Sequence, residues 1–334
     1  MSLSPLAMSE IRSATAIHTA RQRHSTGGKG LERLHLQDGP IDLIIGADGP
    51  ADHVREAYRA AMHRFDGLLQ ELCNEICLLR QPAYPHGTLL GGIVARRMYA
   101  AVAPFARDQF ITPMAAVAGA VAEEVLQAML GATGLTRAYV NNGGDIAFHL
   151  AGDEIYSVGL VDRPDRPALT GRIIVSGESA TRGIATSGRH GRSFSRGIAD
   201  AVTVLARKAA QADAAATVIA NAVDLPGHPG IVRCAARDIQ IDNDLGDILV
   251  TRDVIALSPW EIGDALDAGE KAALDLLNRG LIDGAVLRLQ GGGRLVERGP
   301  DGFRQPRAPA EQIEVIPDLR RAPTDRNGRL VLAT

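Results

Sequence analysis

The amino-acid sequence predicts an α+β fold in which antiparallel or mixed sheets pack against long helices. Predicted strands follow one another in runs and do not alternate strictly with helices, as they would around a doubly wound parallel sheet. Two long segments repeat apolar residues at the helical spacings of three and four. The 334 residues are 46% hydrophobic and 22% charged, which is typical of a globular protein.

The N-terminal half supplies the first strand and both long helices. Residues 38–47 form an apolar run that follows a Gly-Pro pair, which indicates a buried strand. A single helix is predicted from Pro50 to the residue before Pro82, followed by a loop over 82–92, where Pro and Gly are dense. The second helix should begin at Thr112, a good N-cap, with Pro113 in its first turn.

The C-terminal half is predicted to be mostly strands. Runs of apolar and β-branched residues indicate strands over 138–142, 145–150, 154–162, 171–176, 201–206, 247–252, 284–290 and 293–298. An alanine-rich helix is expected over 209–222 and another near 260–279.

We expect three regions along the chain. Residues 1–33 are polar and basic and lack the apolar centre of a secretory signal, which predicts a mobile leader and a cytoplasmic location. Residues 34–303 are expected to form one α+β domain that could divide into two lobes. Residues 304–334, rich in Pro and Arg, are expected to be an irregular tail.

Composition argues against several classes of partner. A net charge of −3, a pI near 6.3 and 4% aromatic residues disfavour a nucleic-acid partner. No run approaches the ~18 consecutive apolar residues that a membrane span needs. Three cysteines do not make a disulfide framework, and Cys73 and Cys77 are predicted to be buried thiols one turn apart in the first helix.

The first candidate site segment interrupts two strands and contains Asn142, Gly143, Gly144 and Asp145. Paired glycines let a ligand approach the backbone and expose its N–H groups, and the flanking polar side chains could select the ligand. These four residues are therefore candidates for binding a cofactor. The alternative is a hairpin turn, in which Asn and Gly are the usual residues.

The second candidate segment covers residues 183–192. Thr186, Ser187, Gly188 and Arg189 combine hydroxyl, backbone and guanidinium donors, which suit a phosphate or diphosphate. The alternative is an exposed polar loop. His190 in the same segment is a candidate catalytic group, although a lone histidine is more often structural.

The third candidate segment is Asp213 and Thr217 on the alanine-rich helix. Their i, i+4 spacing places a carboxylate and a hydroxyl on one face, one turn apart. Both are hard oxygen donors, and Mg²⁺ binds through one or two such groups while keeping positions for substrate phosphate. The alternative is a helix-capping Asp beside a back-bonded Thr.

In this order and spacing, the segments resemble the ApbE family, the FAD:protein FMN transferases. The family's VNxGGxI strand-turn is similar to residues 140–146, its VGI…P strand to 158–164, its AVATSG loop to 184–188, and its D-A-x-A-T helix to 213–217. The resemblance covers roughly residues 38–300 and is clearest over 138–222. Motifs of other phosphate-binding and hydrolytic sites, GxxxxGK[ST], HExxH and GxSxG, do not occur.

The resemblance implies an ApbE-like flavin transferase fold, with Mg²⁺ held by Asp213 and Thr217 against the diphosphate of FAD. In the family, FMN passes to a threonine of an acceptor protein and AMP leaves. The metal neutralises developing charge, so the protein contributes little covalent chemistry. The implied partners are FAD or a related nucleotide and an acceptor protein, and a homodimer is compatible.

The sequence departs from the family's pattern near its H-x-x-D-P segment, which reads SRGIADA over residues 195–201. Arg196 stands in place of the His and Ala201 in place of the Pro. Because Arg is not a general base at neutral pH, Arg196, His190 and Asp200 all remain candidate catalytic groups. A Lys expected to contact flavin is Ala118 here. These departures and the missing lipoprotein signal indicate a divergent cytoplasmic branch.

Two alternatives to transfer remain open. The chain could bind flavin or another nucleotide without turning it over, or it could be a pterin- or one-carbon-related enzyme that reuses the same scaffold.

Overall fold

A computed structural model describes residues 33–84, 89–132, 134–163, 168–297, 311–315 and 331–333. The leader predicted over 1–33 lies outside the described residues except for Arg33. Within the tail predicted over 304–334, the structure describes the two short segments 311–315 and 331–333.

An eight-stranded antiparallel sheet forms the middle layer of the molecule. Its strands are β1 (Leu34–Asp38), β2 (Ile41–Asp48), β3 (Arg137–Asn142), β4 (Asp145–Leu150), β7 (Gly183–Ser187), β8 (Ala201–Ala206), β11 (Gly284–Leu289) and β12 (Gly292–Glu297). They lie side by side in that order. Strand β4 pairs with β7, and β7 pairs with β8. The strand that follows the Gly-Gly turn therefore lies beside residues 183–187 in the centre of the sheet.

Helices cover one face of this sheet. They are α1 (Ala51–Phe65), α2 (Leu68–Asn74), α3 (Ile76–Leu79), α4 (Ile93–Val102), α5 (Val117–Ala132), α6 (Ala209–Ala222), α7 (Ala236–Ile239) and α8 (Pro259–Asn278). A 3₁₀ turn over Pro113–Ala116 leads into α5. Helix α5 packs on β3 and β4, α6 packs on β7 and β8, and the two helices contact each other. The larger hydrophobic core lies between these helices and the sheet.

A four-stranded sheet covers the other face. It consists of β13 (Glu311–Val315), β6 (Leu169–Ser176), β5 (Ile155–Val161) and β14 (Val331–Ala333) in that order. A second apolar cluster, which includes Phe148, Tyr156 and Ile173, fills the space between the two sheets. Two other strands, β9 (Ile231–Ala235) and β10 (Leu249–Val254), form a separate antiparallel ribbon.

The predicted fold class is confirmed, since antiparallel sheets pack against long helices. The alanine-rich helix has the bounds that the sequence predicted. The single helix expected from Pro50 to residue 81 is wrong, because the chain breaks into α1, α2 and α3. Gly67 adopts the left-handed φ of 75° directly after an extended Asp66, and a helix does not continue through that conformation.

Three further expectations from the sequence are corrected. Cys73 and Cys77 are exposed, because Leu68, Leu72 and Leu79 form the buried face of α2 and α3. Helix α4 was not predicted. The tail is not wholly irregular, since β13 and β14 pair with β6 and β5, and the alternating apolar residues of EQIEV suit a strand.

One stretch, Pro113–Gly131, passes the length and hydropathy test for a membrane span, with a mean hydropathy of 1.3. Its apolar residues are not consecutive, because Glu123 and Glu124 interrupt them, and the sequence therefore predicted no span here. In the fold, 56% of the stretch is buried between the sheet and neighbouring helices, as expected for a core helix.

Candidate functional site

Two of the three candidate segments meet at the first turn of α5, and the second segment joins them through Asp145. Thr112 is extended and Pro113 begins the 3₁₀ turn, so the chain enters α5 with the N–H groups of Ala118 and Gly119 available to other elements. The side chain of Asn142, at the end of β3, donates from Nδ2 to the Ala118 carbonyl at 3.2 Å. The Asn142 amide therefore fixes β3 against α5, and its role in the fold is structural.

Asp213 reaches the same turn from α6. Its Oδ2 accepts the Gly119 N–H at 2.9 Å, and the Ala118 N–H also bonds the carboxylate. The contact requires close packing of the helices, because a Cβ at Gly119 would lie 2.4 Å from the Ala209 carbonyl oxygen. The capping alternative is thus correct in a changed form, since Asp213 caps the neighbouring helix α5 and not its own.

Asp145 approaches from the opposite side, at the start of β4. Gly143 and Gly144 make the two-residue β3–β4 turn with φ of 64° and 111°. The Gly144 N–H donates to Asn141 Oδ1 at 2.8 Å, so the hairpin alternative is confirmed for these glycines. Asp145 Oδ1 accepts the Thr186 N–H at 3.1 Å, which joins the first candidate segment to the second.

The two carboxylates influence each other electrostatically. Burial raises the pKa of Asp213 to about 7. Burial, followed by repulsion from the charge of Asp213, raises the pKa of Asp145 well above its ordinary value. Hydrogen bonds from backbone N–H groups oppose these shifts, but in the described part of the chain no Lys or Arg offsets either charge. The region where α5, α6 and β4 meet therefore holds two acids without a counter-ion from the described side chains, and we call this region the α5–α6 crevice.

Hydroxyl groups complete the donor set. Thr217 is half-buried one turn after Asp213, and its hydroxyl makes no hydrogen bond to the described residues, so the back-bonded alternative is wrong. Thr186 Oγ1 lies 2.9 Å from Thr203 Oγ1 on β8. Over the described ranges, no three His, Cys, Asp or Glu side chains form a metal cluster. A pair of carboxylates with hydroxyl oxygens fits Mg²⁺, which takes one or two carboxylates and completes its shell with water and phosphate.

The second segment is partly a strand and not a free loop. Residues 183–187 form β7, with half-buried Ser187 at its end. Gly188 packs closely against the next segment, because a Cβ there would lie 2.4 Å from the Asp200 carbonyl oxygen. Arg192 folds back over the Gly-Gly turn and donates to the Pro40 carbonyl at 3.0 Å. A Cβ at Gly143 would lie 3.1 Å from this guanidinium, so the glycine makes room for it.

Asp200 acts as an anchor in this segment. The carboxylate accepts from Arg189 Nε at 3.0 Å, from His190 Nε2 at 3.1 Å and from the Gln290 N–H at 2.5 Å. The guanidinium of Arg189 is thus already paired and is not a free phosphate ligand. Burial is the main cause that lowers the pKa of His190, with the neighbouring charge of Arg189 adding to it. These three side chains hold one another, and their roles as catalytic or cofactor-binding groups stay predictions.

Arg196 is not brought to the crevice by any contact in the described ranges. It lines a separate cavity at the C-terminal end of α6. Counted back from Asp200, the His of the H-x-x-D-P pattern falls on Gly197, so the placement of Arg196 at the His position is wrong. A Cβ at Gly197 would lie 2.1 Å from the Ala220 carbonyl oxygen, so that position has no room for a side chain. A histidine at that position is therefore incompatible with the local backbone.

Sequence reasoning missed the α5 turn and Thr203. The Thr112-Pro113 helix start was visible, but nothing local shows that the N–H groups following it serve an acid 94 residues away. Thr203 is one of several β-branched residues in β8. Only its pairing with Thr186 distinguishes it.

A mostly antiparallel α+β fold that brings these three segments together is the arrangement expected of the class of ApbE-like proteins. Within that class the chain belongs to the family described as AbpE bacteria, whose family model matches residues 21–295. The resemblance noted from the sequence is therefore confirmed.

Two UPF0280 proteins are among the curated relatives of this chain. A UPF0280 protein of Methanopyrus kandleri is 37% identical over 186 residues, which cover 54% of this chain and 69% of that protein. One from Methanoregula boonei is 41% identical over 35% of this chain, a match that spans only about half (49%) of its own length.

Among solved structures, an ApbE protein of Thermotoga maritima matches with a TM-score of 0.44 at 15% identity, covering 80% of this chain and 97% of that one. The apo flavinyl transferase ApbE of Pseudomonas stutzeri matches with a TM-score of 0.42 at 12% identity, covering 82% and 96%.

Proposed function

We propose that this protein binds Mg²⁺ together with FAD or a related nucleotide diphosphate in the α5–α6 crevice, and transfers FMN to an acceptor protein. The observation that carries the proposal is the pairing of Asp145 and Asp213 across the crevice. Burial raises the pKa of each carboxyl, and no described cationic side chain compensates them. A divalent cation would relieve that repulsion and present a phosphate-binding charge.

Backbone hydrogen bonds orient two of the three proposed metal ligands. Asp213 would bind the cation with the carboxylate that the Gly119 N–H already orients at 2.9 Å. Thr217 would add its unused hydroxyl one turn later. Asp145, oriented by the Thr186 N–H at 3.1 Å, would face them from β4. When bound, Mg²⁺ supplies charge neutralisation for the diphosphate as AMP departs.

Binding without transfer is a second candidate function, and one observation favours it. The candidate catalytic side chains are bonded to one another or remote, since Asp200 is held by Arg189 and His190, and Arg196, which is not a base at neutral pH, lines another cavity. Transfer without a general base needs an acceptor hydroxyl that the cation itself activates.

One experiment tests both candidates. The full chain is incubated with FAD and Mg²⁺, with and without a threonine-bearing acceptor, and AMP and FMN are quantified by chromatography. Transfer predicts AMP release that Asp213→Asn and Thr217→Val abolish. The matched control is Asp264→Asn, which removes an exposed acid from α8 and should leave turnover unchanged.

Flavin that co-purifies or binds without AMP release would favour the second candidate. Failure of FAD to bind in the presence of Mg²⁺ would contradict both. The proposal also includes a cytoplasmic location and a homodimer, and size-exclusion chromatography with light scattering tests the latter.

A further inference from the structure

A second cavity lies at the C-terminal end of α6. Its volume is about 510 Å³, within the range of small-molecule sites. The walls come from α6, α8, the β9–β10 ribbon and the segment before β8, and include Arg196, Val218, Asn221, Arg233, Leu249 and Ala272. We call it the Arg196 pocket. Its lining is mixed, because aliphatic side chains stand beside polar ones that include Asp108 and Asp224. Both acids are paired within the fold, Asp224 with Arg233 and Asp108 with Arg279 at 3.7 Å.

Arg196 is fixed at its backbone and free at its side chain. Its N–H donates to Asn221 Oδ1 at 2.9 Å, and the neighbouring Ser195 carbonyl accepts the Thr251 N–H at 2.8 Å. The residue is half-buried, and its guanidinium makes no hydrogen bond or ion pair within the part of the chain that the structure describes. A guanidinium held in this way has its planar fork of donors available to a ligand.

The other cavity-lining arginines are already bonded. Arg233 in the same pocket pairs with Asp224. In a cavity of about 450 Å³ between α4 and α6, Arg97 pairs with Glu123 at 3.0 Å and with Glu124 at 2.7 Å. Those cations are neutralised by the fold, whereas the charge of Arg196 is not.

We propose that the Arg196 pocket binds an organic oxyanion, a carboxylate or phosphate ester on an apolar body, through a forked contact with Arg196. The charge-assisted pair would satisfy the free donors, and the aliphatic wall from Val218, Leu249 and Ala272 would cover the body of the ligand. The site is distinct from the α5–α6 crevice, because none of Asp145, Asp213 and Thr217 lines the Arg196 pocket.

Titration of the full chain in EDTA tests this proposal. The probes are benzoate and phenyl phosphate, followed by ligand-observed NMR, with neutral benzamide as the matched control compound. One forked ion contact with modest apolar burial should give a Kd on the order of 1 mM for one or both acids. Benzamide should bind at least about tenfold more weakly. The two acids distinguish a carboxylate site from a phosphate site.

Variants locate the binding. Arg196→Gln should weaken it at least about tenfold, and Arg196→Lys should weaken it less, since Lys keeps the charge but loses the fork. Arg207→Gln removes an exposed arginine of the same charge and should change nothing. Folding of each variant is verified by its thermal transition.

Unchanged affinity in both Arg196 variants would overturn the proposal, as would no binding of either acid at about ten times the expected Kd. Loss of binding in Asp213→Asn would also overturn it, because the ligand would then occupy the α5–α6 crevice. Binding that survives Asp213→Asn keeps this inference independent of the proposed function.

Discussion

The paired acids of the crevice make the stability of the metal-free protein depend on pH. Burial raises the pKa of Asp213 from 3.8 to about 7, and that of Asp145 also lies well above its ordinary value. A carboxyl whose pKa is raised by folding keeps its proton to a higher pH in the native state than in the unfolded state. The contribution of Asp213 to stability therefore falls as pH rises from about 4 through about 7.

We therefore expect the thermal midpoint in EDTA to drop between about pH 5 and about pH 8, with a smaller drop in Asp213→Asn. Mg²⁺ should restore the midpoint most above pH 7, where the Asp213 carboxyl is ionised. The same scan on Asp264→Asn is the control. A wild-type profile as flat as that of Asp213→Asn would contradict the assigned burial of this acid.

Asp200 is expected to stabilise the fold through its contacts with Arg189 and His190. Its carboxylate pairs with Arg189 Nη2 at 2.8 Å and bonds His190 Nε2 at 3.1 Å, with little exposure of any partner. Asp200→Asn should cost about 3 kcal/mol in urea denaturation, because a half-buried guanidinium loses its counter-ion.

An exposed pair of the same type provides the comparison. Asp267 is paired with Arg294 at 2.6 Å but is 62% exposed. Asp267→Asn should change stability by less than about 0.5 kcal/mol. If Asp200→Asn instead keeps full stability and loses only turnover, Asp200 is a catalytic residue and the positioning role is wrong.

At the scale of elements, the packing of α5 on α6 controls the site. A Cβ at Gly119 would lie 2.4 Å from the Ala209 carbonyl oxygen, so Gly119→Ala must push the helices apart and pull Asp213 away from its N–H donors. We expect a loss of about 1–3 kcal/mol and no stabilisation by Mg²⁺.

The same helix offers a matched control. A Cβ at Gly131, near the end of α5, would meet nothing within 4 Å. Gly131→Ala should therefore stabilise the protein by about 0.5–1 kcal/mol through helix propensity and leave the Mg²⁺ response intact. Equal effects of the two substitutions would show that the close helix contact is not what orients Asp213.

Local sequence predicted those elements whose signal is local. The alanine-rich run over 209–222 predicted the bounds of α6, because its composition differs from that of the residues on either side. The Thr112-Pro113 start of the second helix was visible for the same reason. Gly67 was overlooked because the apolar spacing continues across it, although a single left-handed φ ends the helix. Residues 183–187 were interpreted as a phosphate loop because their polar side chains hid a central strand.

The candidate site also has one part that local sequence predicts and one part that it does not. Asp213 and Thr217 could be predicted as a pair because one helical turn fixes their spacing. The approach of Asp145 to Asp213, and the use of the Gly119 N–H by Asp213, depend on how β4 and α5 pack against α6. That packing brings together residues far apart in the chain, which no local spacing encodes. The motif order suggested a shared site, but the sheet order of β4, β7 and β8 is what creates it.

At the scale of the whole molecule, the eight-stranded sheet is shared by two cores. The helical core lies on one face and the sheet-to-sheet core on the other. Since every strand from β1 to β12 of this sheet bonds its neighbour, we expect the two layers to unfold as one cooperative unit and not as the two lobes that the sequence allowed.

Reciprocal core substitutions test this expectation. Ile173→Ala empties a fully buried position between the sheets, and Val121→Ala empties one beneath α5. Each should lower global stability, by about 2–4 kcal/mol for Ile173→Ala and less for the smaller Val121→Ala. Native-state hydrogen exchange should then show the same loss of protection in β5 as in α5 for either variant. Loss confined to the layer that carries the substitution would instead mean that the layers open separately. In that case the α5–α6 crevice would keep its geometry when the outer sheet detaches, and Mg²⁺ would still protect α5 in Ile173→Ala.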